Sequence, residues 1–286
     1  MAFVNYLIHL AILIGMYSIL TVALNFAVGF TGLLNLGHIG FFGIGAYASA
    51  LLALQLGWPL WLSILAGGSV AMIAGILLAL PTTRLKGDYL ALATLGFAFI
   101  MGSVARNWTE LTRGALGIPG IPKIVSDNTQ FLIIVLIIAV ITYIVFFMLS
   151  RSRFGKACQA IRDDELAAKM LGKNTFLHKI SALGISAFFA GIAGALFSHY
   201  ITFIDPSIFG LGDIILLFSM LIVGGLGSVK GSAIGTIVLF LIPEPLRFIG
   251  FPSSILGPMR EIIFALILLL ILIYRPRGLF GKVDLA

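Results

Sequence analysis

The side chains most able to do chemistry or recognition are gathered in one stretch, Arg151 to Lys179, which reads RSRFGKACQAIRDDELAAKMLGKNTFLHK. It is polar, densely charged and long enough for one or two helices. Within it, Asp163, Asp164 and Glu165 precede Leu166-Ala167-Ala168-Lys169-Met170-Leu171-Gly172. Acidic residues favour a helix start through the macrodipole, and a glycine is a good stop. Ala, Leu, Lys and Met are strong helix formers, so the run from Asp163 or Asp164 to Leu171 predicts a short helix of two turns. Leu166 and Met170 stand four apart on one face, with Ala167 and Leu171 beside them. A small apolar face ringed by charge suits a groove on a partner protein. The competing reading is a helix lying on the membrane surface, but anionic lipid would repel three consecutive acids. The stretch at about 151–179 therefore reads as a cytoplasmic docking loop. Leu166, Ala167, Met170 and Leu171 would be its buried contacts with the partner, and Arg162, Asp163, Asp164 and Glu165 its peripheral charge contacts.

Other chemistry finds little support. The run GGLGSVKGS, Gly224 to Ser232, looks like a phosphate loop, but that loop requires Gly, four residues, then Gly-Lys-Ser/Thr. Here Lys230 follows Val229 and precedes Gly231. Gly155-Lys156 precedes Ala157 and lacks the upstream glycine. No nucleotide site is expected. His9, His38, His178 and His199 are scattered without metal-ligand spacing. A lone Cys158 excludes an internal disulfide and a multi-cysteine metal site. With no paired intramembrane carboxylates and no nucleophile elbow, neither catalysis, a metal nor a cofactor is expected of this chain.

The elements that carry the loop are built for lipid. Of 286 residues, 60% are hydrophobic and 10% charged, and the mean hydropathy is +1.14. Soluble proteins carry roughly 25% charged residues, so the solvent of this chain is largely lipid. No Asp, Glu, Lys or Arg precedes Arg84. The N-terminal MAFVNYLIHLAILIGMYSIL lacks the basic region of a cleaved signal and reads as a span that stays. The net charge of +7 fits basic residues that hold loops on the cytoplasmic side better than nucleic-acid binding.

Apolar segments run at about Phe3–Val28, Leu33–Leu56, a third to Leu80 that Pro81 ends, Tyr89–Ala105, Phe131–Ser150, Ile180–Ile204, a stretch from Ile214 to the Gly224–Ser228 run, Gly231–Ile242 and Ile262–Tyr274. Between Arg106 and Gln130, Gly114, Gly117, Pro119, Gly120 and Pro122 mark a solvent loop. The expectation is an all-α polytopic integral membrane protein. It would be one transmembrane domain over 1–286, with about 8–10 transmembrane or re-entrant helices and one large cytoplasmic coupling loop. If the central loop is cytoplasmic, alternation places thirteen of the 18 Lys and Arg on its side and five opposite. That bias puts the N-terminus outside and the C-terminus inside.

Two glycine-rich clusters interrupt apolar runs. GFTGLLNLGHIGFFGIG spans Gly29 to Gly45 with Asn35 and His38; GGLGSVKGSAIG spans Gly224 to Gly235 with Ser228 and Lys230. Broken helices at membrane depth are tolerated where they are buried in protein or line a wet cavity, and in many transporters they line the substrate path. Asn25, Asn35, His38, Thr94, Gly225, Gly227 and Ser228 are the candidate path residues. Tight packing with an interfacial turn is the alternative, and it is the plain reading of Gly191-Ile192-Ala193-Gly194-Ala195, where small residues let helices approach.

Glu165 to Gly172 resembles the E-A-A-x-x-x-G pattern of permease subunits in bacterial ATP-binding-cassette importers, with Leu166 where the first alanine usually stands. Ala168 and Gly172 belong to the same stretch. Further blocks are similar to the branched-chain amino acid permeases of the LivM type. They are Gly32–His38 with Phe41–Tyr47, Arg84–Tyr89, Ser152–Lys156, Ala160–Glu165, Gly224–Ser228 and Arg275–Leu279. The resemblance implies an inner-membrane permease whose loop is a coupling helix. It implies two cytoplasmic ATPase subunits that bind ATP and Mg, a second homologous permease and an extracytoplasmic solute-binding protein. Relatives carry branched-chain amino acids, urea, short amides or other amino acids. The rival from another class is a self-contained secondary transporter or channel, which usually keeps charged residues inside its spans. The confident spans here carry none, and Asp213, Glu244 and Glu261 fall near ends. A membrane structural or assembly protein is a third reading and predicts no solute flux.

Overall fold

Backbone groups in lipid must be satisfied within the chain, which leaves helices as the way across for a chain of this pattern. The computed structural model describes residues 2–85, 87–125, 127–244, 253–275 and 277–281. Helix α1, Ala2–Asn25, runs into one π-helical turn, Phe26–Phe30. It is followed by α2 His38–Gln55, α3 Leu60–Thr82, α4 Asp88–Asn107 and a single turn, α5, Thr109–Thr112. Then come α6 Asn128–Arg151, α7 Arg153–Asp163, α8 Glu165–Met170, α9 Thr175–Ile201, α10 Leu211–Gly224, α11 Val229–Leu241 and α12 Ser253–Tyr274. Among the described residues six helices are long and apolar enough to cross a membrane, with three shorter apolar stretches, Leu211–Gly224, Val229–Leu241 and Ile262–Ile271.

The all-α polytopic expectation holds, with adjustments at several ends. Pro81 lies inside the last turn of α3, which runs one residue past it. The turn closes beyond it because the Thr82 hydroxyl donates to Leu78 O at 2.6 Å and Thr83 N to Ala79 O at 2.9 Å. Helix α9 begins earlier than the apolar run, at Thr175, because the Asn174 side chain accepts from Leu177 N. It ends at Ile201, before Ile204. The loop between α4 and α6 is more ordered than a plain solvent loop. It holds α5, a 3-10 turn at Gly114–Leu116 and a strand, Ile118–Pro119, antiparallel to Phe203–Ile204 after α9.

Helix α9 is the centre of the bundle, packed most extensively against α3 and α2. Small residues make this possible. At Gly191 an added Cβ would lie 2.5 Å from Ala71 Cβ, 2.9 Å from Gly67 O and 3.0 Å from Gly68 Cα. With little hydrophobic drive between helices in lipid, such close backbone approach supplies the packing. Helix α1 is wedged against α6, α9 and α11, and α10 pairs with α11 and α12. The short ladder and the turn around Phe209 cap one end of the bundle. The opposite end carries α7, α8, the 225–228 turn and the segment 277–281.

Gly191→Val is expected to destabilise the bundle by about 1–3 kcal/mol through overpacking, read as a lower unfolding temperature in detergent. Gly96→Ala, where a Cβ meets nothing within 4 Å, should leave that temperature unchanged or higher.

Candidate coupling and translocation site

The charged stretch folds as two helices joined by one extended residue. The sequence gives a partial signal for α7. Ser152 is a good N-cap, its hydroxyl accepting from Gly155 N at 3.1 Å, and Ala157, Cys158 and Ile161 fall on one buried face. Burial pushes the Cys158 thiol up to about 11, against an opposing hydrogen bond with Thr31, so the thiol is unreactive near neutrality. Asp164 breaks the helix at φ −154° and caps α8, its carboxylate accepting from Leu166 N at 2.8 Å and Ala167 N at 3.0 Å. Gly172 lies at φ +75°, a left-handed value that glycine adopts freely, and ends the unit.

Arg162, Asp163, Asp164 and Glu165 make their contacts inside the chain. Glu165 pairs with Lys179 at 2.6 Å and with Lys169 at 3.0 Å, and accepts from Thr175 Oγ1 at 3.2 Å. It thereby fixes α8 to the first turn of α9. Partial burial pushes its carboxyl up, but the hydrogen bonds and charges of Lys179 and Lys169 outweigh this and hold it at about 2. Arg162 donates through Nη1 to Gly29 O at 2.7 Å and through Nη2 to Asp163 Oδ1 at 2.7 Å. The docking loop is thus clasped to the break that follows α1. Gly32, at φ +74°, lies so close that a Cβ there would meet Arg162 Cγ at 2.9 Å.

With the charges so engaged, the apolar residues are left outside. Leu166 is 66% exposed, Met170 79% and Leu171 80%, whereas Ala168 is 2% exposed. Ala167 is exposed with the first three. Ala168 faces the chain itself and does not share the outer face.

The seven candidate path residues fall into two groups, all buried. The first is organised by Asn25. Its Nδ2 lies 3.2 Å from Gly225 O, 3.0 Å from Ser228 O and 2.7 Å from Ser232 Oγ, and its Oδ1 accepts from Gly227 N at 2.9 Å. An amide side chain offers an acceptor oxygen and a two-proton donor nitrogen at one point. Gly225 and Gly227 have φ of +104° and +72°. Ser228 caps α11, accepting from Gly231 N at 3.1 Å. A Cβ at Gly29 would collide with Asn25 Oδ1 and the Gly227 backbone, so the two glycine clusters meet here. The second group gathers around the return segment between Thr31 and α2, with His38 from the start of α2 and Thr94 from α4. Asn35 Oδ1 accepts from Gly37 N at 3.1 Å, Asn35 Nδ2 lies 3.3 Å from His38 Nδ1, and Thr94 Oγ1 accepts from Leu36 N at 3.0 Å. In this conformation both groups satisfy backbone at helix breaks. Gly227 and Ser228 also border a cavity of about 660 Å³.

Several contributors had no local signal in the sequence. Lys179 and Ser232 reach their partners across 14 and 207 positions. The segment after α12 does the same through its backbone. Leu279 N donates to Val223 O at 2.9 Å and Phe280 N to Gly224 O at 3.1 Å. Among the described residues no group of three or more His, Cys, Asp or Glu could hold a metal ion.

Asn25→Leu would leave Gly227 N and two carbonyls without their partner, and is expected to cost about 3 kcal/mol in detergent unfolding. Because Glu165 sits below its ordinary range, its contribution is full above about pH 4.5 and is lost as pH falls toward 2. Glu165→Gln should lower the unfolding temperature at pH 7, and the gap to the parent should close on acidification through that window.

Residues 6–272 match the family described as branched-chain amino acid transport system / permease component. The high-affinity branched-chain amino acid transport system permease protein LivM of Escherichia coli (strain K12) is 35% identical over 302 residues, spanning 95% of this chain and 69% of the relative. The probable LivM of Methanocaldococcus jannaschii is 26% identical, spanning 94% of this chain and 91% of the relative. LivH of Escherichia coli (strain K12) is 25% identical, spanning 93% and 91%. A match of this extent, carried through both glycine-rich breaks and the docking loop between them, means that the chain belongs to the branched-chain amino acid transport permease family.

Proposed function

We propose that this chain is a membrane-spanning permease subunit of an ATP-binding-cassette importer and carries branched-chain amino acids. The observation that supports this most strongly is the family match over residues 6–272. It is joined by an outward apolar knob, Leu166, Met170 and Leu171, on a loop otherwise engaged within the chain. Two cytoplasmic ATPase subunits would bind ATP and Mg and receive the knob. A second homologous permease would complete the pore, and an extracytoplasmic solute-binding protein would deliver the solute. The chain would sit in the bacterial inner membrane with its N-terminus outside and its C-terminus in the cytoplasm, which follows the basic bias of the loops.

The geometry suggests how force would travel. When the ATPases close, they push α8. Glu165 makes α8 move with the start of α9. Arg162 carries the displacement to Gly29, and Asn25 carries it on to the 225–228 turn. Both helix breaks therefore respond to one push. An apolar side chain as cargo suits a path with few polar stations.

Met170→Asp places a charge in the centre of the docking face, while its exposed position keeps the fold intact. The expected result is co-purification of the ATPases lost and ATP-dependent leucine uptake reduced at least about tenfold, with membrane insertion unchanged. Full uptake by this variant would remove α8 from the coupling interface. A Cys at Ser228 should react with an aqueous thiol reagent in at least one transport state; complete protection in every state would remove the 225–228 turn from the path.

A further inference from the structure

At the end of the bundle that carries the docking loop, α6, α7 and the start of α11 surround the cavity of about 660 Å³. Three cations line it, one from each element: Arg151, Lys156 and Lys230. No carboxylate among the described residues pairs with any of them, since the ion pairs there use Arg162, Lys169 and Lys179. Like charges gathered around one space repel unless an anion enters it. The cavity is also rigidly built. Gln159 Nε2 donates to Ser150 O at 2.9 Å and to Gly155 O at 3.2 Å, which ties α7 to the end of α6. The Arg151 guanidinium lies 4.1 Å from the Phe147 ring centroid, a contact that holds the charged head in place. Phe30 and Phe147 complete the lining with apolar surface.

Cations and aromatic carbon lining one cavity suit a lipid at the membrane interface. We propose that this cavity is an anion site for a phosphate ester, occupied by the headgroup of an anionic membrane lipid such as phosphatidylglycerol or cardiolipin. Arg151, Lys156 and Lys230 surround the phosphate, and Phe30 and Phe147 meet the glycerol and first acyl carbons. The lipid source is favoured over soluble phosphate because the cavity adjoins α6, whose Ile144, Phe147 and Met148 are 52%, 40% and 66% exposed toward the surrounding medium. Basic pockets between helices on the cytoplasmic side suit such headgroups, and polybasic surfaces gain from anionic lipid. The site borders Gly227 and Ser228, so an occupied site would brace the turn that Asn25 holds. The inference rests on the membrane placement of the chain and not on the identity of the solute.

The test is native mass spectrometry of the detergent-purified importer containing this chain, titrated with cardiolipin, phosphatidylglycerol, phosphatidylethanolamine and inorganic phosphate. The expected result is retention of one anionic lipid per copy of this chain, with phosphatidylethanolamine lost at the same collision energy. Arg151→Gln/Lys156→Gln/Lys230→Gln should weaken anionic-lipid binding on the order of a hundredfold, from three interfacial charges. Arg84→Gln, which removes a basic residue elsewhere, should not. Saturation by millimolar inorganic phosphate with no lipid retained would keep the anion site and assign it to soluble phosphate. Equal retention of phosphatidylethanolamine, or anionic-lipid binding unchanged in the triple variant, would overturn the proposal. Intact co-purification of the triple variant with its partners confirms that a loss of lipid is not a loss of fold.

Discussion

A helix that stops inside a membrane leaves amide and carbonyl groups with no water to meet them, and each such group costs several kcal/mol if it stays unpaired. This chain interrupts regular helix in two places, at the π turn that follows Asn25 and at the turn that follows Gly224. Asn25, the last residue before the first, satisfies the second with one side chain. Asn25 accepts from Gly227 N and donates toward Gly225 O, Ser228 O and Ser232 Oγ. The glycines follow from that arrangement. Gly29 must come close enough for its Cβ position to fall on the Asn25–Gly227 contact, and Gly225 and Gly227 must adopt positive φ. The segment after α12 closes the remaining carbonyls of the turn at Val223 and Gly224. Remove the amide and four groups between Gly225 and Ser232 lose their common partner.

The docking loop depends on the same junction. Arg162 has a carboxylate beside it in Asp163, yet it also reaches back to Gly29 O. A charged group that bonds a backbone carbonyl at a helix break is sensitive to where that break lies. Glu165 does the complementary task at the other side of α8, by holding it to α9 through Lys179. Because α9 is the central packed helix of the bundle, the loop is joined to both the most rigid element and the most irregular one. Charges spent on these internal contacts are what leave Leu166, Met170 and Leu171 as an apolar outer face.

Much of this was legible in the sequence. Long apolar runs without charge gave the helices, because a span needs little besides length and hydropathy. The acidic run Asp163–Glu165 and Gly172 marked the ends of α8 to within a residue or two, because an acidic first turn and a glycine stop are local chemistry. The glycine clusters gave the places where helices break. What they did not give was the pairing of the breaks. Nothing near Asn25 in sequence says that its partners stand about two hundred positions away, and Arg162 has no local cue toward Gly29. Asn25, Asn35, His38 and Thr94 were singled out as polar residues in apolar surroundings. The same pattern serves a water-lined path or a spliced helix break, and in this conformation the residues do the second. The internal contacts of the charges at 162–165 had no cue either, because helical spacing places a residue on a face but does not say which neighbour it will meet.

The central claim is that displacement of the docking loop reaches the helix breaks through Arg162. The most direct measurement compares ATP hydrolysis and leucine uptake, side by side, for the assembled importer carrying Arg162→Met in proteoliposomes. The account predicts that the ATPases still assemble and still hydrolyse ATP, because the outer face of α8 is intact. Uptake per ATP should fall at least about tenfold, the scale of losing one charge-assisted hydrogen bond. An unchanged ratio of uptake to hydrolysis would mean that the Arg162–Gly29 contact carries no force and that coupling runs through α9 alone.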